Sequence, residues 1–293
     1  MGKNKLDQFY TNDDVVVACL GQLNLEDYAV IIEPSAGSGA FLAHLPARTM
    51  ALDLEPAADN IHQQDYLMFV ELLQASQLTC TGDKKYLVVG NPPFGKNSSL
   101  ARKFFNASAQ FADTIAFILP RTFRKPSTIN QLNEYFHLAN EILLEEYSFH
   151  LPDGSAHDVP CVFQIWERRD ESRKKIPTLS TCTDFEFVDI KKTKDAAPSE
   201  AAKRMQRKSA NLCIRRVGSA AGTIFDDYHS VERDWKSHYY LKTKDPDVRD
   251  VLASISWDDK SGKYDTAGNP SISKNDLIRN YYKTKKSLRK ETK

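Results

Sequence analysis

Four consecutive residues, Asn91-Pro92-Pro93-Phe94, carry groups that could hold and present a planar amine. The side-chain oxygen of Asn91 and the carbonyl oxygen of Pro92 could each accept one N–H of an exocyclic amine, which would localise its lone pair for nucleophilic attack. Two successive prolines stiffen the loop and remove backbone donors. Phe94 could offer a flat face to an unstacked base, with Pro93 beside it. We therefore take Asn91, Pro92 and Phe94 as catalytic candidates, and Pro93 and Phe94 as substrate-binding candidates.

A turn rich in small residues, from Glu33 through Ser35 and Gly37 to Gly39, follows an apolar stretch and precedes a helical one. Glycines in such a turn let the backbone approach a ligand closely. Leu42 occupies the place of the third glycine of a dinucleotide fingerprint, which disfavours NAD and FAD, and the sequence contains no P-loop motif. Taken alone, the turn is explained equally well as a plain strand–helix connection.

Two carboxylates follow the glycine turn at informative spacings. Asp53 ends the next apolar stretch and is placed to accept hydrogen bonds from ribose hydroxyls, with Glu55 as the second choice. Asp65 begins a helical stretch and could meet an adenine amino group. Considered by itself, Asp65 is better explained as a helix cap.

The elements that must position these residues alternate along the first part of the chain. Apolar stretches predict strands, and amphipathic stretches between them predict helices. This alternation predicts an α/β fold, Rossmann-like, with a mostly parallel sheet. We expect a final antiparallel hairpin at one edge of that sheet. The predicted strands cover residues 28–33, 49–54, 86–90 and 114–119, the predicted helices 14–22 and 100–112, and the predicted hairpin 142–151 and 159–167.

The character of the sequence changes near residue 170, which predicts a catalytic domain at 1–169 and a small basic C-terminal domain or extension at 170–293. Residues 1–169 contain 13 Lys and Arg against 20 Asp and Glu, whereas residues 170–293 contain 27 against 19. Basic residues alternate with aromatic ones around 235–242 and 280–286, a composition that suits nucleic-acid binding. A solvated surface with a small aromatic core explains the same composition equally well.

Composition also bounds the class of protein. The five cysteines are scattered, odd in number and without a C-x-x-C pair, which argues against a disulfide framework and a structural zinc site, so no metal is predicted. The sequence has no apolar run long enough for a membrane span and no apolar segment typical of a signal peptide. We therefore expect a soluble intracellular protein without a membrane partner.

Five short segments, in this order, resemble the motifs of S-adenosylmethionine-dependent amino-methyltransferases that carry N-P-P-[FYW], especially N6-adenine DNA methyltransferases of the gamma arrangement. The resemblance covers roughly residues 7–169. Asp7-Gln-Phe-Tyr-Thr11 is similar to the motif that covers the methionine end of the cofactor, and E-P-S-A-G-S-G-A-F to the glycine motif. L-D-L-E-P is similar to the ribose motif, Q-D-Y-L to the adenine motif and N-P-P-F to the catalytic motif. The resemblance implies S-adenosylmethionine as the cofactor, bound by Phe9, Tyr10, Thr11, Glu33, Ser35, Gly37, Gly39, Asp53, Asp65 and Asn91.

The same resemblance implies methyl transfer to N6 of adenine, with DNA as the favoured partner and RNA as a possible one. Asn rather than Ser before Pro-Pro favours adenine over cytosine N4. A protein glutamine-N5 methyltransferase shares the motif order, but the basic C-terminal region counts against a protein substrate. The alternative to an enzyme is a subunit with this fold that binds nucleic acid without catalysing a reaction.

Three basic residues after the fourth predicted strand, Arg121, Arg124 and Lys125, are candidate phosphate contacts, although a solvated turn explains them equally well. The loop 152–160, with His157 and Asp158, could border the base pocket. Cys161 follows a proline, as the nucleophile of cytosine-C5 methyltransferases does. Its place near the start of an apparent edge strand favours a buried structural cysteine instead.

Overall fold

A computed structural model describes residues 10–76, 84–145, 148–151, 154–157, 159–188, 209–225, 236–266 and 268–291. The chain divides into two compact units, Met1–Ile176 and Pro177–Lys293. The boundary lies slightly beyond the predicted residue 169, because Arg173 still belongs to the first unit. Its guanidinium donates to the backbone carbonyls of Phe136 and Ile129 at 3.1 and 3.0 Å.

A seven-stranded sheet forms the centre of the first unit. In chain order, the described strands of this unit are β1 (Tyr10–Thr11), β2 (Val30–Glu33), β3 (Met50–Asp53), β4 (His62–Gln63), β5 (Tyr86–Gly90), β6 (Thr114–Pro120), β7 (Phe136–Leu143), β8 (Phe149–His150), β9 (Ala156–His157) and β10 (Cys161–Arg168). The described helices are α1 (Asp13–Leu20), α2 (Tyr66–Ala75), α3 (Ser99–Ser108) and α4 (Pro126–Ile129). The order across the sheet is β4-β3-β2-β5-β6-β10-β7.

Strands β4, β3, β2, β5 and β6 run parallel, and β10 runs antiparallel to both β6 and β7. Every residue of β6 is buried, and β5 is buried from Leu87 to Gly90. Such continuous apolar strands are typical of a parallel sheet that is covered on both faces. The predicted fold class, α/β and Rossmann-like with an antiparallel edge, is confirmed.

The predicted edge hairpin was wrong in the bounds of its first strand. The partner of β10 is β7, and of the predicted residues 142–151 only Ile142 and Leu143 pair with β10, opposite Phe163 and Val162. Most of β7 is partly or fully exposed, and it carries polar residues such as Asn140 and Glu141, so no apolar run marks it in the sequence. Strands β8 and β9 form a separate small sheet, in which β8 pairs with β1.

The second unit has its own hydrophobic core. Its described strands are β11 (Glu186–Phe187), β12 (Leu212–Arg215), β13 (Ile224–Phe225) and β14 (His238–Lys242), which form an antiparallel sheet in the order β11-β14-β12-β13. Helices α5 (Asp247–Ala253) and α6 (Lys274–Glu291) follow. Leu241, Leu277, Ile278 and Tyr281 are fully buried there. The described residues of the C-terminal region therefore pack around a core of their own.

Among the described residues, no helix combines the length and the apolar character needed to cross a membrane.

Candidate functional site

The main candidate site is a cavity of about 270 Å³ at the carboxyl ends of β2, β3 and β5. This is the edge of an open parallel sheet where ligands bind. The cavity wall includes these cofactor candidates: Tyr10, Thr11, Glu33, Ser35, Gly37, Asp53, Asp65 and Asn91. Gly39 does not line the cavity, and Phe9 lies outside the described residues. Segments that are far apart in the sequence therefore meet around one space.

The glycine turn contacts β1 through Tyr10 and β3 through Asp53. Gly37 and Gly39 have φ values of +56° and +87°, a region that favours glycine. A Cβ atom on Gly37 would lie 3.2 Å from the ring of Tyr10, so the small residue allows β1 to close over the turn. The backbone N–H of Gly37 donates to Asp53 Oδ2 at 2.7 Å, which ties the turn to the end of β3.

The two predicted carboxylates both have local partners. Asp53 Oδ1 accepts the backbone N–H of Glu55 at 2.8 Å, so each of its oxygens holds one backbone donor. A carboxylate oxygen can accept a second hydrogen bond, and Asp53 lines the cavity. Asp65 caps α2 by accepting the backbone N–H of Leu67 at 2.8 Å, which confirms the helix-cap interpretation. Glu55 is exposed and does not line the cavity.

Glu33 is the most unusual group in the cavity wall. Its side chain is 1 % exposed, and its Oε2 has no hydrogen-bond partner among the described residues. Burial raises the pKa of Glu33 well above its ordinary value, and the charge of Asp53 raises it further. A Cβ atom on Gly90 would lie 3.3 Å from Glu33 Cγ, and Gly90 has a φ of +147°. Gly90 thus makes room for a buried acid that a cationic or N–H-bearing ligand would complement.

Asn91 is the point where three sequence motifs meet. Its Nδ2 donates to Thr11 Oγ1 of β1 at 3.2 Å. Its backbone carbonyl accepts the hydroxyl of Ser35, from the glycine turn, at 3.1 Å. The N-terminal motif, the glycine turn and the loop Asn91–Phe94 are therefore joined by hydrogen bonds at Asn91.

The rest of the loop Asn91–Phe94 differs in exposure from the sequence-based expectation. Pro93 lines the cavity, whereas Pro92 and Phe94 do not. The Phe94 ring is 9 % exposed and packs in the main core, so the open aromatic face expected for it is absent from this structure. The carbonyl of Phe94 accepts the backbone N–H of Leu100 at 3.1 Å, at the start of α3. Phe94 therefore connects the loop Asn91–Phe94 to the core.

The basic candidates lie away from the cavity wall. Arg124 forms an ion pair with Glu141 at 2.9 Å, and both side chains are largely buried. Glu141 also accepts Gln164 Nε2 at 2.7 Å, so Arg124 belongs to a network that joins the end of β6 to β7 and β10. The backbone N–H of Arg121 donates to the carbonyl of Pro160, and its Nε is buried without a partner among the described residues. Lys125 directly precedes α4.

Two further candidates can be placed. His157 ends β9, in the small sheet that holds β1, and Asp158 lies outside the described residues. Cys161 is fully buried on β10, opposite Pro120, as expected for a structural cysteine.

Several cavity residues were not predicted from the sequence. Leu54, Gln64 and Leu67 are immediate or near neighbours of the predicted carboxylates, and that adjacency is the one signal that could have found them. Phe104 comes from the middle of α3, and no sequence pattern distinguishes it from a core residue.

No protein-family model matches the sequence, and no curated protein matches it significantly. Among solved structures, the chain is similar to a candidate RNA methyltransferase from Pyrococcus horikoshii (14 % identity, TM-score 0.39, covering 57 % of this chain and 90 % of that one). It is also similar to the modification subunit of a candidate type I restriction enzyme from Vibrio vulnificus (13 %, 0.42, 94 % and 60 %). An S-adenosylmethionine-dependent methyltransferase from Anabaena variabilis is a third (15 %, 0.35, 55 % and 88 %). At these identities and TM-scores the function has to be inferred from the site itself.

Proposed function

We propose that the chain is an S-adenosylmethionine-dependent methyltransferase that methylates N6 of adenine in DNA. The observation that carries this proposal is the convergence of Thr11, Ser35 and Asn91 on one cavity at the carboxyl edge of the sheet. The sheet brings the glycine turn and the loop of Asn91 together because β2 and β5 are neighbours, and Thr11 of β1 joins them from a third segment.

The cavity residues fit the proposed cofactor. The buried, unpartnered Glu33 Oε2 would complement the positively charged methionine end, together with Tyr10 and Thr11 of β1. Asp53 would accept the ribose hydroxyls, and Asp65, which also lines the cavity, would accept the adenine amino group. When bound, S-adenosylmethionine supplies an electrophilic methyl group on its sulfonium.

The chain's contribution to the chemistry is to orient the target amine. An exocyclic amine is a weak nucleophile because its lone pair is delocalised into the ring. Asn91 Oδ1 and the Pro92 carbonyl would each accept one amine hydrogen, which turns the lone pair away from both acceptors. The hydrogen bond between Asn91 Nδ2 and Thr11 Oγ1 fixes the plane of the amide that does this. As the new N–C bond forms, the bond between the methyl group and the sulfonium would break with its electron pair left on sulfur, and the amine would release one proton to solvent.

The base has to leave its stack to reach this loop. Because Pro93 lines the cavity and the Phe94 ring is buried, we assign the contact with the base to Pro93 first. The Phe94 ring would have to turn outward to stack on the base. Arg121 and Lys125 remain candidates for phosphate contacts, whereas the guanidinium of Arg124 is held by Glu141.

Charge supports a nucleic acid over a protein substrate. Residues 177–293 contain 24 Lys and Arg against 17 Asp and Glu. Proteins that act on nucleic acids use such excess positive charge to bind the phosphate backbone. RNA adenine N6, cytosine N4, protein glutamine and a non-catalytic binding role are the alternatives that the experiment has to separate.

The test incubates the full chain with methyl-labelled S-adenosylmethionine and, separately, unmethylated DNA, total RNA and a protein extract. Each polymer is digested and the labelled product is identified by mass spectrometry. Asn91→Ala is the catalytic variant, and Asn60→Ala, an exposed asparagine outside the cavity, is its matched control. Cofactor binding is measured separately by calorimetry.

We expect labelled N6-methyladenine from DNA in the wild type and in Asn60→Ala, and a loss of at least about a hundredfold in Asn91→Ala. Label only in RNA, on cytosine or on glutamine would refute the assigned substrate while keeping methyl transfer. Absence of both label and cofactor binding would refute the enzymatic proposal, and nucleic-acid binding alone would then favour the non-catalytic subunit.

A further inference from the structure

We propose that the exposed end of α6, residues 282–290, is a contact surface for the phosphate backbone of the nucleic acid. We call these residues the α6 tip. The proposal rests on the proposed function for its choice of partner, and it names which surface of the second unit binds. Its basic side chains are Lys283, Lys285, Lys286, Arg289 and Lys290, of which Lys285 is paired with Asp184.

The α6 tip extends beyond the part of the helix that the core holds. Leu277, Ile278 and Tyr281 are fully buried, but Tyr282 is 36 % exposed and every residue from Lys286 to Lys290 is exposed. The helix thus continues for about two turns with little buried surface of its own. Lys285 anchors the base of this segment, because its Nζ donates to Asp184 at 2.6 Å.

The helix carries Asp276 and Glu291 outside the α6 tip, and neither lies three or four residues from a basic residue of the tip. The sequence has no Asp or Glu between residues 277 and 290. Lys286 has Lys283, Arg289 and Lys290 at helical spacings of three or four residues, at which like charges repel each other. Positive charge near a helix C-terminus is favourable, but that effect falls off within the last turn and does not reach Lys283. A bound polyanion would relieve the repulsion over the whole segment.

Polar grooves run along both sides of the α6 tip. One, of about 910 Å³, is lined by Thr183 and Tyr282 together with Lys286 and Lys290. The other, of about 500 Å³, is lined by Ser254 and Ser256 on the side of Lys283 and also includes Asp258. The hydroxyls of Thr183 and Ser254 already donate to Asp184 Oδ1 at 2.9 Å and to the carbonyl of Asp250 at 2.8 Å. The ammonium and guanidinium groups of the grooves are therefore the donors offered to phosphate oxygens.

An anionic membrane is the competing partner for a basic helix. Helices that bind membranes place a broad apolar face in the lipid. On the α6 tip, Leu288 is the single aliphatic side chain, and it is 37 % exposed. Tyr282 adds an aromatic ring that could stack on a base. These residues favour a nucleic acid.

The test compares two charge-matched variants of the full chain. The first is Lys283→Gln/Lys286→Gln/Arg289→Gln/Lys290→Gln, and the control is Lys84→Gln/Lys85→Gln/Lys174→Gln/Lys175→Gln, which removes four exposed lysines from the first unit. Binding to a short fluorescent DNA duplex and to an RNA of the same sequence is measured by anisotropy without cofactor, at several salt concentrations. Circular dichroism establishes that both variants are folded, and the single variant Lys286→Ala repeats the test with a smaller change.

We expect the α6 tip variant to bind roughly ten- to a hundredfold more weakly. The slope of log Kd against log salt should fall by about 0.9 for each phosphate contact that is lost. The control variant should retain most of the affinity. Equal loss in the two variants, no loss in either, or no nucleic-acid binding by the wild type would overturn the proposal. So would binding through the α6 tip to phosphatidylserine vesicles but not to DNA or RNA.

The two proposals fail in different ways. If the wild type binds DNA through the α6 tip but transfers no methyl group, the enzymatic proposal fails and this surface stands. If the wild type methylates DNA and the α6 tip variant keeps both its affinity and its KM, the surface fails and the enzymatic proposal stands.

Discussion

Replacing Glu33 by Gln tests whether a protonated acid lies in the cavity of the ligand-free protein. Glu33 is 1 % exposed, and burial followed by the charge of Asp53 raises its pKa well above the ordinary value of 4.5. The folded first unit therefore holds a proton that the unfolded chain releases as the pH rises above that value. Folding should become less favourable with rising pH because of this one group.

The size of the effect follows from proton linkage. One additional proton bound by the folded state changes the free energy of unfolding by about 1.4 kcal/mol per pH unit. The change is a loss of stability as the pH rises from 4.5 to the raised pKa of Glu33, and it ends above that pKa. Glu33→Gln has no such proton. The difference in stability between wild type and variant should therefore move in favour of the variant at up to about 1.4 kcal/mol per pH unit.

The assay is urea unfolding of the first unit at several pH values. Trp166 is buried on β10, and substitution of Trp235 and Trp257 by Phe leaves it as the single tryptophan reporter. Glu55→Gln, at an exposed carboxylate beside Asp53, is the matched control and should follow the wild type. Equal pH slopes for wild type and Glu33→Gln would refute the reasoning. S-adenosylmethionine should bind more weakly to Glu33→Gln, and its binding to the wild type should release a proton.

Gly90→Ala should destabilise the first unit by more than about 1 kcal/mol, because Gly90 has a φ of +147° and a Cβ atom there would contact Glu33. Gly154→Ala should destabilise it less, because Gly154 has a φ of +82° but open space around it. Comparison of their unfolding midpoints checks this, and equal costs would contradict the role of the contact. Asp184→Asn should destabilise the second unit by up to about 2 kcal/mol at neutral pH, since hydrogen bonds from Lys285 and then Tyr281 lower the pKa of Asp184 to about 2. This contribution should be lost as the pH falls from 3.8 towards 2, and a pH-independent difference in Trp257 fluorescence unfolding would contradict it. Cys161→Ala should retain methyl transfer; its abolition in a folded variant would restore the covalent mechanism.

The sequence could predict the strands whose neighbours bury them completely. Strands β5 and β6 are apolar over most or all of their length, so their bounds were predicted closely. Strand β7 was predicted only at its last two residues, because most of its side chains are exposed to some degree and include polar residues. A hydrophobic pattern reports how a segment is buried, but it does not report which strand lies beside it.

The sequence by itself determined which functional groups are present: amide and carbonyl acceptors at Asn91 and Pro92, a glycine turn, and carboxylates that follow strands. Only the tertiary structure decided how these groups are used. It hydrogen-bonds Asn91 to Thr11 and Ser35, holds Arg124 in an ion pair and buries the ring of Phe94. The physical reason is the distance along the chain over which each property is set. Residue type and local spacing set the reactivity of a side chain and the conformational preference of the backbone. Exposure, partners and pKa instead depend on segments that are distant in sequence and meet when the sheet forms.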